Sequence, residues 1–262
     1  MIAKFKHKSW VTFPKRNLQA NLRLFCFPYA GGKSTSFRGW ENNLPSGVEV
    51  CPIELPGRGT RITEEPLTEF LQLIPELTKG VLPYLDKPFA FFGHSMGSIV
   101  SFEVAHLLHQ KYDLKPVHLF VSGRVAPQIP VENKQIHKLP KAAFIEEIRR
   151  LNGTPEAVLE NTELMQLLLP MLRADFTLVE NYVYTPKHTL NCAITAFGGL
   201  QDNKVCTANL EAWKQQTAAD FSMHMFPGDH FFLHSAESLL LKSVSRKLHQ
   251  LIYQTKTWQR AC

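Results

Sequence analysis

Residues 93–97 read Gly-His-Ser-Met-Gly, a serine held between two glycines where an apolar run ends and a helix-like run begins. A turn alone does not require that arrangement. A sharp strand-to-helix turn that pushes a serine hydroxyl outward does: a Cβ at either glycine would collide with the neighbouring strand or helix. The following helix aims its N-terminal amides and partial positive charge at the same place. Ser95 is therefore read as a nucleophile rather than a capping residue.

A hydroxyl attacks only after a base removes its proton, and that base is usually a histidine oriented by a carboxylate. After such a turn the chain order should be serine, acid, histidine. Of the eleven histidines, His94 adjoins the serine but its side chain leaves the turn in another direction. His106 and His109 lie on the helix after the turn, and His118 and His224 fall within strands. His230, in FPGDHFFL, stands in a loop between the last strand and the last helix, at the sheet edge where the turn also opens. It is preferred to His234, which starts that helix. Asp202, in AFGGLQDNKV, lies just past a strand end and is taken as the acid, although a turn aspartate would also fall there. Asp229 is too close to His230 along the chain to aim at it. Asp175 and Glu180 fall in a helical insertion, and the stretch GRVAPQ after the strand at 117–123 offers no carboxylate. The anion formed on attack needs backbone donors. Met96 N–H directly follows the nucleophile, and Ala30 N–H, in the glycine-bearing loop FPYAGGKSTSF, is the second expected donor.

The elements that must position these residues are visible as short, nearly continuous apolar runs. They are 22–27, 48–55, 88–93, 117–123, 191–199 and 221–226, separated by helical patterns at 67–85, 98–110 and 235–252. Runs of that kind are strands buried on both faces. Their alternation with helices predicts an α/β fold with a mostly parallel, doubly wound sheet. One domain over 1–262 is expected. More than sixty residues separate Gly123 from Asn191, far more than a crossover needs. This insertion, about 128–186, carries helical patterns at 141–151 and 161–184, the second expected to kink or divide at Pro170. It is read as a lid over the site, the alternative being a pair of extra core helices.

Hydrophobic residues make up 44% of the 262 and charged residues 20%, so a packed core is expected and disorder is not. No apolar stretch reaches the ~18 residues of a membrane span. The N-terminus MIAKFKHKSWVTFPKR lacks a signal-peptide pattern and is read as a loose basic arm on a cytoplasmic protein. Five cysteines without CxxC spacing suit a reducing compartment and argue against disulfides or zinc. The net charge of +6 is read first as a solvated surface and second as a preference for an acidic partner. Nucleic acid is not expected, because the basic residues are scattered and no aromatic platform accompanies them. No feature signals an oligomer, and a monomer is expected.

Five stretches, LFCFPYAGG, IELPGRGTR, FFGHSMGS, FGGLQD and FPGDHFFL, occur in the same order in a known family. The chain from about residue 22 to 252 resembles the type II thioesterases, the stand-alone editing enzymes of nonribosomal peptide and polyketide synthetases. The resemblance implies an α/β-hydrolase core with a helical lid. It implies hydrolysis of acyl thioesters carried on the phosphopantetheine arm of an acyl or peptidyl carrier protein, with no metal or other cofactor. It places the triad on Ser95, Asp202 and His230 and the donors on Ala30 and Met96. An esterase acting on small free esters or acyl-CoA, and a binding protein on a hydrolase fold, are the rival readings.

Overall fold

The computed structural model describes residues 9–132 and 134–261. Six strands form one sheet: β1 (Leu22–Phe27), β2 (Val48–Pro52), β3 (Phe89–His94), β4 (His118–Ser122), β5 (Ala193–Gly199) and β6 (Phe221–Phe226). Their spatial order is β2-β1-β3-β4-β5-β6, and all five pairings are parallel. The order reverses at β1, with β2 outward on one side and β3 on the other, so the C-terminal ends of β1 and β3 flank a switch point where ligands bind in sheets of this type.

Side chains alternate between two apolar layers. Phe25, Phe27, Phe89 and Phe91 face α1 (Phe70–Val81) and α2 (Met96–Tyr112), in a core with Leu77, Phe102 and Leu108. Leu22, Leu24, Ala90 and Phe92 face the opposite way and pack with Trp40, Leu240 and Val244. Strands with both faces covered show no polar alternation, which is why they read as continuous apolar runs.

Between β4 and β5 the chain forms α3 (Lys141–Arg150), α4 (Glu156–Leu159) and α5 (Thr162–Glu180). Phe144, Ile148, Met165, Leu168, Met171 and Leu172 give these helices a separate apolar cluster. Of the two outcomes expected at Pro170, division does not occur: α5 runs unbroken from Thr162 to Glu180. Pro170 and Gln166, whose carbonyl loses its intrahelical donor, both lie on the exposed face, so the lost bond is not buried. Three further helices, α6 (Thr207–Glu211), α7 (Phe232–Ser235) and α8 (Glu237–Ala261), complete the order. Among the described residues no helix is long and apolar enough to cross a membrane.

The basic arm is not loose where it is described. Val11 is buried and forms an antiparallel bridge with Ile53, and Thr12 N–H donates to Pro52 O at 2.9 Å. The Trp10 ring lies against Gly80 and under the Arg61 guanidinium, 3.9 Å from it. Apolar residues at 10 and 11 outweigh the surrounding charge. Residues 1–8 lie outside the described part of the chain.

Candidate active site

Ser95 sits between β3 and α2 with φ 53° and ψ −112°, a conformation rarely adopted by a residue with a side chain. The flanking glycines are sterically required. A Cβ on Gly93 would lie 2.2 Å from Gly97 O, and one on Gly97 would lie 2.1 Å from Phe27 O. Neighbouring strand β4 clamps the turn: Ser95 N–H donates to Ser122 O at 2.7 Å, and Ser122 N–H donates to Ser98 Oγ at 3.0 Å. Ser98 Oγ also lies within bonding distance of Gly93 O (2.8 Å) and Ser122 O (3.0 Å). His94, fully buried, turns away to Ser122 Oγ at 2.8 Å. Burial foremost, then the fields of His230 and His234, hold its pKa well below the usual histidine value.

The structure brings the three expected side chains together. His230 Nε2 is 3.0 Å from Ser95 Oγ, and His230 Nδ1 is 2.7 Å from Asp202 Oδ2. Asp202 Oδ1 accepts from Lys204 N–H at 2.9 Å. Burial opposes ionisation of Asp202, but the His230 hydrogen bond and charge and the Lys204 amide prevail, so its carboxyl lies below its ordinary value. The two loops that carry acid and imidazole are tied together. Gln201 N–H donates to Gly228 O at 3.0 Å, and Gly228 N–H donates to Gln201 Oε1 at 2.5 Å. The rejected alternatives have other partners. His234 Nε2 meets Tyr29 OH at 2.9 Å, and Asp229 accepts from Phe231 N–H and Asn152.

Ala30 occupies a turn closed by Gly32 N–H to Tyr29 O at 2.8 Å, with Gly31 at φ +81° as such a turn demands. Among the described residues neither Ala30 N–H nor Met96 N–H has a protein acceptor, and Ala30 and Ser95 line the same cavity.

Sequence reasoning missed what holds this turn. Arg58, in LPGRG, and Asp175, on α5, form a fully buried bidentate pair at 2.7 and 2.6 Å. Asp175 Oδ2 also accepts Gly31 N–H at 2.7 Å, and Arg58 donates to Gly32 O at 3.1 Å. Glu54, equally buried, accepts from Ser34 N–H and Ser34 Oγ farther along the same loop. The motif thus braces the loop that carries Ala30 and fastens α5 to it.

The cavity beside Ser95 has a volume of ≈150 Å³. Its walls are β-strand ends and the inserted helices: Tyr29, Val125, Ile148, Phe176, Val205 and Phe231 among others. A hydroxyl, an imidazole and a carboxylate in series, facing a small apolar cavity, suit acyl transfer to a serine.

The family model described as Thioesterase domain matches residues 22–251. The chain is 47% identical over 246 residues to "Linear gramicidin dehydrogenase LgrE" of Brevibacillus parabrevis, covering 93% of this chain and 94% of that protein. It is 47% identical over 243 residues to "Gramicidin S biosynthesis protein GrsT" of Aneurinibacillus migulanus, covering 93% and 95%. The word dehydrogenase describes the first protein; the family model that matches this chain is a thioesterase's. Among solved structures, the type II thioesterase BorB from the borrelidin biosynthetic cluster superposes with a TM-score of 0.84 at 30% identity, covering 90% of this chain and 96% of that one. The chain belongs to the thioesterase domain family, has its α/β-hydrolase fold, and within that family is a type II thioesterase.

Proposed function

We propose that the protein hydrolyses acyl thioesters held on the phosphopantetheine arm of a carrier protein, with Ser95 as nucleophile, His230 as general base and acid, and Asp202 as the residue that orients His230. The continuous hydroxyl–imidazole–carboxylate series, at 3.0 and 2.7 Å, carries this reading. In the first step His230 Nε2 takes the Ser95 proton while Oγ bonds to the thioester carbonyl carbon. Charge then develops on the carbonyl oxygen, where the Met96 and Ala30 amides receive it. Collapse breaks the C–S bond, and the arm leaves with the proton from His230. Water, deprotonated by the same imidazole, attacks the acyl-serine and releases the acid. Asp202 fixes the tautomer and stabilises the imidazolium formed in each half-reaction.

Helices α3 to α5 act as the lid, since Ile148, Leu151, Phe176 and Val179 roof the cavity beside Ser95. A cavity of this size holds about six carbon atoms, which favours short acyl units and the clearance of misloaded carriers.

The test compares turnover of an acyl-carrier thioester, the matching acyl-CoA and a p-nitrophenyl ester. Preference for the carrier substrate in kcat/KM supports the proposal. Preference for the free ester assigns the site to an esterase.

A further inference from the structure

That cavity is lined by cations that pair with no carboxylate among the described residues. Arg124 follows β4 and lines the cavity together with Ser95 and His230. Its main chain is fixed, because Trp213 Nε1–H donates to Arg124 O at 2.8 Å. Its Nε is sealed from solvent without a hydrogen-bond partner, and its guanidinium pairs with no carboxylate among the described residues. Burial pushes its pKa down, as expected of a cation without a counter-ion. Lys204, an exposed cation, lines the same cavity, and among the described residues no Asp or Glu does so.

Acids of the elements near the cavity have other partners. Asp202 bonds to His230, and Asp175 to Arg58. Glu103 accepts from Tyr182 and pairs with Lys187, and Glu147 pairs with Arg150. Arg124 is half-buried, with only its Nε fully sealed, and an unsatisfied buried donor in a native structure calls for a reason. Arginine's planar fork matches a carboxylate in two-point contact.

We propose that Arg124, with Lys204 at the cavity edge, forms an anion subsite that receives the distal carboxylate of a short dicarboxylic acyl unit. The inference rests on the thioesterase reading and narrows its substrate class. The cations line the cavity that holds the reacting groups, so they meet the acyl end of the substrate. The phosphate of the arm lies at its opposite end.

The test is calorimetric binding of non-hydrolysable pantetheine amides, which carry no phosphate, to the full-length protein. The succinyl amide should bind about tenfold or more tightly than the butyryl amide, as for a hydrogen bond to a charged group. Arg124→Met should bring the two to near parity, and Arg124→Lys should keep part of the difference. Fluorophosphonate labelling of Ser95 checks that each variant is folded, and the wild-type comparison decides even if a variant is not. Equal wild-type affinities, a preference that survives in Arg124→Met, or a gain that follows an added phosphate instead of the acyl carboxylate each overturn the subsite. Because the amides are not cleaved, this result stands apart from hydrolysis. Failure to cleave any carrier thioester would sink the proposed function while leaving the binding result intact.

Discussion

Arg58 Nη2 stands 2.6 Å from Asp175 Oδ1, and the second oxygen of Asp175 accepts the Gly31 amide at 2.7 Å, so one buried ion pair joins an inserted helix to the loop that carries Ala30. Removing either partner leaves the other charge buried and unpaired, which costs about 3–5 kcal/mol. Asp175→Ala also frees the Gly31 amide. The Ala30 N–H should then drift from the developing oxyanion, slowing acyl release by about 10²-fold, the scale of losing one such donor. Urea unfolding and single-turnover hydrolysis measure the two effects. An Arg58→Met/Asp175→Leu double variant should recover stability but not rate. Recovery of both would assign the pair a purely structural role.

Ser98 fastens the nucleophile turn to β4. Ser98→Ala should cost about 1–3 kcal/mol, because the Ser122 amide loses its acceptor in a fully buried setting. A thermal unfolding midpoint unchanged from wild type would contradict this role.

His118 is buried, and burial foremost, then the Lys247 charge, pushes its pKa down to about 3. The unfolded chain takes up that proton near pH 6.5. Between those values the unfolded state binds more protons, so stability falls as pH drops, by about 1.4 kcal/mol per pH unit from this residue. Urea unfolding between pH 4.5 and 5.5 should show His118→Gln with a slope shallower by that amount. Parallel slopes would contradict it.

The net charge of +6 should steer an acidic carrier. Stopped-flow association with acyl-carrier should slow steeply, by about tenfold, as ionic strength rises from roughly 0.01 to 0.15 M. A flat rate would place recognition elsewhere.

How much of this was legible in the sequence follows from the range of each interaction. Strands buried on both faces announce themselves by continuous apolar runs, and five of six begin within one residue of the run that predicted them; β5 begins two residues later. GHSMG was legible because the clash that selects its glycines is local to the turn and its two neighbouring segments. His230 and Asp202 were reachable because loops at strand ends converge on one sheet edge. The Arg58–Asp175 pair spans 117 residues and has no periodic signature. LPGRG could be recognised as a motif without its purpose being visible. Trp10 and Val11 were masked by the lysines around them, and whether Pro170 would divide its helix depended on which face meets water, which the sequence leaves open. Arg124 gave no signal, since an arginine in a loop reads as surface until the cavity it lines is seen.

Hydrolysis turns on the Ser95 hydroxyl, which His230 activates to open the thioester in the proposed reaction. The direct measurement is single-turnover release of acid from acyl-carrier by Ser95→Ala beside the wild type. Ser95→Ala should lose about 10⁴-fold or more, with the protein still folded. Release within tenfold of wild type would contradict it.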